Sequence, residues 1–284
     1  MKDWILAARL RTLPAAIAPV ILGCAICKQP HIFAGLAALF GAILIQIATN
    51  FANDYFDFVN GADTDARVGP TRATAAGLIS PQQMKWAFII TFATTIPIIA
   101  YLTIRGGMVI VAIGIASILS GILYTGGPKP LGYMGLGDLF VFVFFGPIAV
   151  AGTEYVQSLQ WSWDAVLIGS ASGLLSTAIL VVNNLRDKES DAEVGKNTLA
   201  VKFGATFVRW EYTLCFVGTA LIVAYYATKH LGVLLSFIAL GLGIPIIRSM
   251  WNEKGRALDP NLGRTAKILV LFSLLFSAGW NLPL

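Results

Sequence analysis

Hydrophobic positions along the chain gather into nine segments, near residues 12–28, 32–52, 85–104, 107–124, 138–156, 165–183, 211–229, 231–248 and 267–282, with polar stretches between them. A helix that crosses a bilayer needs about 20 apolar residues, and these runs approach that length. Several are short for a span, which predicts that their polar flanks are helical too. No linker or composition shift divides the chain, so residues 1–284 are expected to form one all-α membrane domain. The polar stretches carry signals of their own. Ser80-Pro81-Gln82-Gln83 reads as an N-cap, a first-turn proline and a capping-box glutamine, and predicts an ordered lid ahead of the third segment. The stretch from Tyr124 to Tyr133 is too rich in glycine and proline for helix. Gly169 and Gly173 stand four apart within the sixth segment, the spacing of close helix packing.

Composition turns this pattern into a statement about solvent. Hydrophobic residues make up 57% of the chain and charged residues 12%. A soluble domain carries roughly 25% charge, so a water-exposed surface cannot be built from this sequence. The charges that exist are unevenly placed. With nine spans, the N-terminus and the loops after the second, fourth, sixth and eighth spans share one side. That side holds all but Lys28, Arg105 and Lys229 of the 20 lysines and arginines. The positive-inside rule then predicts a cytoplasmic N-terminus and a C-terminus on the opposite side of a bacterial plasma membrane. The net charge of +5 is explained by topology, and no nucleic-acid partner is expected. No polar, small-residue cleavage region follows the first span, which reads as a retained helix. Cys24, Cys27 and Cys215 lie in apolar spans and read as small hydrophobes, and His31 and His230 sit in short outer loops.

Candidate chemistry concentrates in two loops on the basic side. The second span runs into Asn53-Asp54-Tyr55-Phe56-Asp57, then Asp63, Asp65 and Arg67. The sixth runs into Asn183-Asn184-Leu185-Arg186-Asp187, then Asp191 and Lys196. The recurrence after four spans reads as a weak parallel repeat, one acidic motif from each half. Asp54 and Asp57 are spaced i, i+3 and Asp187 and Asp191 i, i+4, so each pair is expected on one face of a continuing helix. Acids near a membrane usually line a cavity, and carboxylates stacked on one face call for a shared cation. Two such faces meeting suit Mg²⁺, a hard cation that binds a few carboxylates and keeps sites for water and substrate phosphates. Basic residues alongside point to a diphosphate, whose remaining oxygens need cations. Arg11, Arg72, Lys129, Arg186 and Lys196 all come from this side.

These motifs resemble the UbiA superfamily of intramembrane aromatic prenyltransferases. Three stretches are similar to its 1,4-dihydroxy-2-naphthoate branch: Asn53 to Phe58 with Arg67 to Ala73, Tyr124 to Gly137 with Phe144-Phe145-Gly146-Pro147, and Asn183 to Asp187 with Thr198 to Val201. Arg9 to Pro14 fits as well. The resemblance implies nine helices ringed around a central cavity that opens sideways to lipid. It implies Mg²⁺ held by Asp57, Asp187 and Asp191, with Asn53, Asp54, Asn183 and Asn184 at the metals or the diphosphate, and Asp63 completing the first motif. Lys188 and Ser190 depart from the expected second motif but leave its acids in place.

The activity so implied is transfer of a polyprenyl chain from its diphosphate to 1,4-dihydroxy-2-naphthoate with loss of carbon dioxide, giving demethylmenaquinol. Phe51, Tyr55, Phe56, Tyr124 and Phe140 are candidates to shield an allylic cation. No general base stands out; an acid of the site or the released diphosphate could take a proton. The expected partners are the two substrates and membrane lipid, and no protein partner is inferred. Three alternatives stay open. The first is a relative using 4-hydroxybenzoate, homogentisate or haem. The second, a CDP-alcohol phosphotransferase, requires a glycine where Phe58 follows Asp57. The third, a cation-coupled transporter, would place its acids near mid-bilayer.

Overall fold

The computed structural model describes residues 1–63 and 69–283. Among the described residues there are helices and turns and no strand. Eight helices are long and apolar enough to cross a membrane: α1 (Lys2–Ile26), α2 (Ile32–Val59), α3 (Pro81–Gly106), α5 (Gly137–Ser158), α6 (Trp163–Arg186), α7 (Leu199–Ala227), α8 (Leu231–Asn252) and α9 (Gly255–Trp280). The shorter apolar helix α4 (Met108–Leu123) completes the nine expected segments. The polar flanks are helical, as their length demanded. In particular α2 continues to Val59 and carries Asn53, Asp54 and Asp57, and α7 starts at Leu199. Asp65 and Arg67 lie outside the described residues.

Local chemistry sets the helix ends. Ser80 accepts from the Gln83 N–H (3.3 Å) while Gln83 Oε1 reaches back to the Ser80 N–H (3.1 Å), closing the capping box that starts α3. Ser162 caps α6 through the Ala165 N–H (3.1 Å) and Thr198 caps α7 through the Val201 N–H (3.4 Å). Arg9 sits in the left-handed region (φ 49°) and turns the first two helical turns of α1 away from the rest. Within α5 the turn Phe144–Ile148 widens to a π-helix around Gly146 and Pro147. Here the Ala149 N–H turns to the Gly146 carbonyl, and the Phe145 carbonyl it would otherwise meet accepts from the Ser172 hydroxyl (2.9 Å). In lipid no water could do that.

The helices form an enclosed C-terminal half and a hollow N-terminal one. The large core cluster is built on α6, with 72% of its membrane window buried, and on α7, α8 and α9. The Tyr212 and Thr265 hydroxyls, joined at 2.8 Å, are its internal polar link. Outside, Phe33, Ile104 and Trp163 present at least 73% of their surface. That exposure suits a hydrocarbon surround, since lipid replaces water as the solvent. Gly169 and Gly173 back onto the widened turn of α5, so closely that a Cβ at Gly169 would stand 2.8 Å from the Gly146 carbonyl oxygen. Gly169→Leu is therefore expected to cost about 1–3 kcal/mol or more by overpacking, seen as a lower thermal unfolding midpoint in detergent. Gly241→Ala, with no neighbour in reach, is expected to leave the midpoint in place. Equal midpoints for Gly169→Leu and wild type would contradict this packing.

Candidate active site

The acid-bearing ends of α2 and α6 open onto one cavity of about 970 Å³, lined by residues of α1 to α6 and α9. Asn53 and Asp57 reach it from α2, and Asn183, Asn184, Arg186, Asp187 and Asp191 from the end of α6 and the turn beyond it. Arg11, Arg72, Tyr124 and Lys196 complete the polar end.

Asp57 is fully buried. Its carboxylate pairs with the Arg72 guanidinium, accepts from the Tyr133 hydroxyl (3.0 Å) and lies 3.4 Å from Lys196 Nζ. Asp187, 4% exposed, takes both Nε (2.8 Å) and Nη2 (2.7 Å) of Arg186. Arg186 also donates to Asn183 Oδ1 (2.7 Å) and to Asp259 (3.0 Å) on α9. Burial of an ionised carboxylate is costly unless it is paired and hydrogen-bonded, and each acid meets that condition.

Two contacts bring the motifs together. Lys196 comes from the loop of the second motif to Asp57 of the first. Gly69, from the loop after the first motif, faces the second so closely that a Cβ there would stand 2.6 Å from Arg186 Nη2. The loop between α4 and α5 ties both. Thr125 donates to Asn53 Oδ1 (2.8 Å), Tyr133 donates to Asp57, and the Tyr133 carbonyl accepts from the Asn197 N–H (3.0 Å). Burial and the neighbouring Asp57 charge push the Tyr133 phenol up, so it stays protonated and donates. Burial, with Asp138 and Asp57 nearby, raises Tyr124 in the same direction.

Four expected site residues stand elsewhere. Asp54 shares the helix face only loosely with Asp57. Its carboxylate accepts the backbone N–H groups of Ala73 (3.1 Å) and Thr74 (3.0 Å), so both oxygens are taken up in pinning the loop that follows the first motif. Asp63 pairs with Arg72 Nε at 3.5 Å and does not line the cavity. Tyr55 packs on Phe56 and Phe88, with ring centroids 5.1 and 5.6 Å away, in a separate core. Lys129 is exposed on its loop. Asp187 and Asp191 do not share one continuing helix, because Asp187 is the break between α6 and the short helix Lys188–Glu193. Conversely, Tyr133, Thr125 and Asp259 belong to the site, as do Gln46 and Asn50 on the cavity wall. Asn50 donates to Thr12 Oγ1 (2.9 Å) and the Ala8 carbonyl (2.9 Å), and Gln46 to Thr12 Oγ1 (3.0 Å). Of the candidate aromatics, Tyr124 and Phe140 line the cavity, joined by Phe144 and Phe145. Phe51 and Phe56 belong with Tyr55 to the separate core.

The donor chemistry suits a hard divalent cation. Asp57, Asp187, Asp191, Asn53 and Asn183 offer only oxygen at this end, apart from the amide nitrogens. No group of three His, Cys, Asp or Glu side chains gathers as a metal cage among the described residues. A cation that binds a few carboxylates and completes its shell with water and substrate phosphate needs no such cage. Arg72 Nη1 is buried without a hydrogen-bond partner among the described residues, a donor waiting for an anion.

Comparisons with known proteins bear on the family and the fold. The sequence profile of the UbiA prenyltransferase family matches residues 16–279. The 1,4-dihydroxy-2-naphthoate octaprenyltransferase of Haemophilus influenzae is 38% identical, covering 98% of this chain and 96% of its own. The enzyme of the same name from Escherichia coli is 37% identical over 98% and 94%. Among solved structures, a UbiA homologue from Archaeoglobus fulgidus bound to GPP and Mg²⁺ superposes with a TM-score of 0.68 at 14% identity, covering 99% of this chain and 100% of that one. At that identity the likeness speaks for the fold.

The role of Asp54 can be tested apart from catalysis. Losing two charge-assisted bonds of about 1.5–3 kcal/mol each, Asp54→Ala is expected to open the 69–79 loop to limited proteolysis in detergent micelles. The same protection as wild type would contradict the pinning role.

Proposed function

The chain belongs to the UbiA prenyltransferase family, and we propose that it transfers a polyprenyl chain from its diphosphate to 1,4-dihydroxy-2-naphthoate, releasing carbon dioxide and forming demethylmenaquinol. The observation that carries the reaction class is the pair of acid–arginine clusters set against each other at the polar end of one otherwise apolar cavity. The acceptor is supported by the names of relatives 37–38% identical over nearly the whole chain.

The diphosphate head of the donor sits between the two clusters. Arg72, Arg186 and Lys196 turn from the carboxylates to its outer oxygens, and Arg11 stands at the rim. Asp57, Asp187 and Asp191, with Asn53 and Asn183, are the residues that would hold Mg²⁺; Asn184 lies beside them. The ion, when bound, supplies Lewis-acid neutralisation of the charge that grows on the departing diphosphate. The cationic side chains are worth most there because the cavity excludes water and they are already in place.

The allylic C–O bond breaks with its electron pair leaving on diphosphate. The allylic carbocation faces the rings of Tyr124, Phe140 and Phe144, whose π faces attract positive charge. Attack by the naphthoate carbon that bears the carboxylate forms the new C–C bond. Loss of carbon dioxide returns its bonding pair to the ring, so no side chain has to remove a proton from carbon. The acids stand at helix ends on one side of the protein, which favours transfer over cation-coupled transport. By charge distribution that side is the cytoplasmic one.

Purified protein in nanodiscs, given 1,4-dihydroxy-2-naphthoate, a polyprenyl diphosphate and Mg²⁺, is expected to form the decarboxylated prenyl naphthol, detected by mass spectrometry and lost with EDTA. Asp57→Ala and Asp187→Ala are expected to abolish it while inserting and purifying normally. Product from 4-hydroxybenzoate or homogentisate alone would overturn the acceptor. Wild-type rates in either variant would overturn the site.

A further inference from the structure

Polar side chains also line the cavity away from the acid–arginine clusters, and the steps above leave them unused. Gln46 and Asn50 stand about one turn apart on α2, 8% and 3% exposed, and both face the cavity. Asn50 lies seven residues before Asp57 and Gln46 eleven. At about 1.5 Å per residue these are roughly 10 and 16 Å along the helix axis, beyond reach of a cation held at Asp57.

Their amides are oriented by α1. Asn50 donates from Nδ2 to the Ala8 carbonyl (2.9 Å) and to Thr12 Oγ1 (2.9 Å), and Gln46 donates from Nε2 to the same Oγ1 (3.0 Å). Thr12 has one hydroxyl proton, and it goes to the Arg9 carbonyl (3.0 Å). Thr12 Oγ1 therefore meets both amides as an acceptor only, and so does the Ala8 carbonyl. Neither amide can flip without setting oxygen against oxygen. The link is anchored in turn at the left-handed Arg9, whose carbonyl also accepts the Thr12 N–H (2.8 Å).

Asn50 then has only Oδ1 left for the cavity, and Gln46 has Oε1 beside one N–H. An amide oxygen only accepts, so its partner must bring a hydrogen. A metal-bound diphosphate oxygen is itself an acceptor, and a hydrocarbon tail has no donor. A ring hydroxyl has one. Residues four apart rise about 6 Å along a helix, which suits two hydroxyls at opposite corners of one six-membered ring.

We propose that Gln46 and Asn50 read the acceptor's two para hydroxyls, each through its amide oxygen, with Thr12 as the positioning residue that fixes both amides. The inference rests on the transfer reading above and deepens it: the site selects a hydroquinone-type aromatic acid. An acceptor with a single hydroxyl leaves one amide oxygen bare, and a buried polar group without its partner is costly.

The test is binding of three naphthoates to protein in nanodiscs loaded with geranyl thiolodiphosphate and Mg²⁺. They are 1,4-dihydroxy-2-naphthoate and its two analogues lacking one hydroxyl, 1-hydroxy-2-naphthoate and 4-hydroxy-2-naphthoate. Wild type is expected to prefer the dihydroxy acid over each analogue by about tenfold or more, since a site built to bond a hydroxyl rejects the compound lacking it. Gln46→Met and Asn50→Leu are each expected to erase the preference over a different analogue, and Thr12→Val to weaken both preferences. Mg²⁺-dependent binding of the thiolodiphosphate, measured on the same samples, is expected to persist in all three variants. Preferences that survive in the variants, a wild type without them, or equal weakening of all three naphthoates and the thiolodiphosphate would overturn the hydroxyl-reading site and leave the transfer reading intact. A wild type that binds none of the naphthoates would overturn both this site and the proposed acceptor.

Discussion

A carboxylate removed from water is tolerable only if positive charge or donors replace its hydration, and that constraint organises the polar end of this protein. Asp57 has no exposure and is held by Arg72, Lys196 and Tyr133. These three come from three different loops, so satisfying one side chain at the end of α2 folds each loop over the same spot. Asp187 does the equivalent for α6, using Arg186 and, through it, Asp259 of α9. The arrangement shares three basic side chains, Arg72, Arg186 and Lys196, among Asp57, Asp187, Asp63 and Asp259. An incoming anion accompanied by a divalent cation can exchange partners with that set without leaving any charge bare. Asp54 holds the lid by its backbone, which leaves Asp57 to face the cavity.

The two halves of the chain repeat a motif but divide the work. Helices α6 to α9 bury a continuous core, which keeps the second motif on a stiff support. The N-terminal half gives up part of its core to the cavity that begins at the acids. A diphosphate and a long hydrocarbon have opposite needs of their surroundings, and the cavity meets each at one end. The widened turn in α5 contributes where the two ends join. It places Phe144 and Phe145 on the cavity wall, at a local cost in helix hydrogen bonding that Ser172 offsets.

Much of this was legible in the sequence. The nine apolar runs became the helices, the capping box at Ser80 and the glycines at 169 and 173 behaved as read, and the paired acidic motifs open onto one cavity. What failed was a matter of direction. Spacing alone put Asp54 beside Asp57, but helical spacing of i, i+3 leaves an angular difference, and here backbone N–H groups of a loop captured Asp54. Tyr55, two residues before Asp57, turns away from it into the separate core with Phe56 and Phe88. Lys129 lies on the right loop but points to solvent, while Tyr133, four residues further on, donates to Asp57. Gln46 and Asn50 were overlooked although their spacing to Asn53 and Asp57 follows one helix face, a polar line inside an apolar span. Asp259 could not have been found from pattern, because its link to Arg186 depends on how α9 meets α6.

The central claim is that the two motifs act as one binding site, sharing a divalent cation and a diphosphate. Titration of a non-hydrolysable geranyl thiolodiphosphate into the protein, with and without Mg²⁺, measures this without requiring turnover. The account predicts binding that needs Mg²⁺ in wild type and is lost in Asp57→Asn and in Asp187→Asn alike. Binding that is independent of the metal, or that survives loss of either acid, would contradict it.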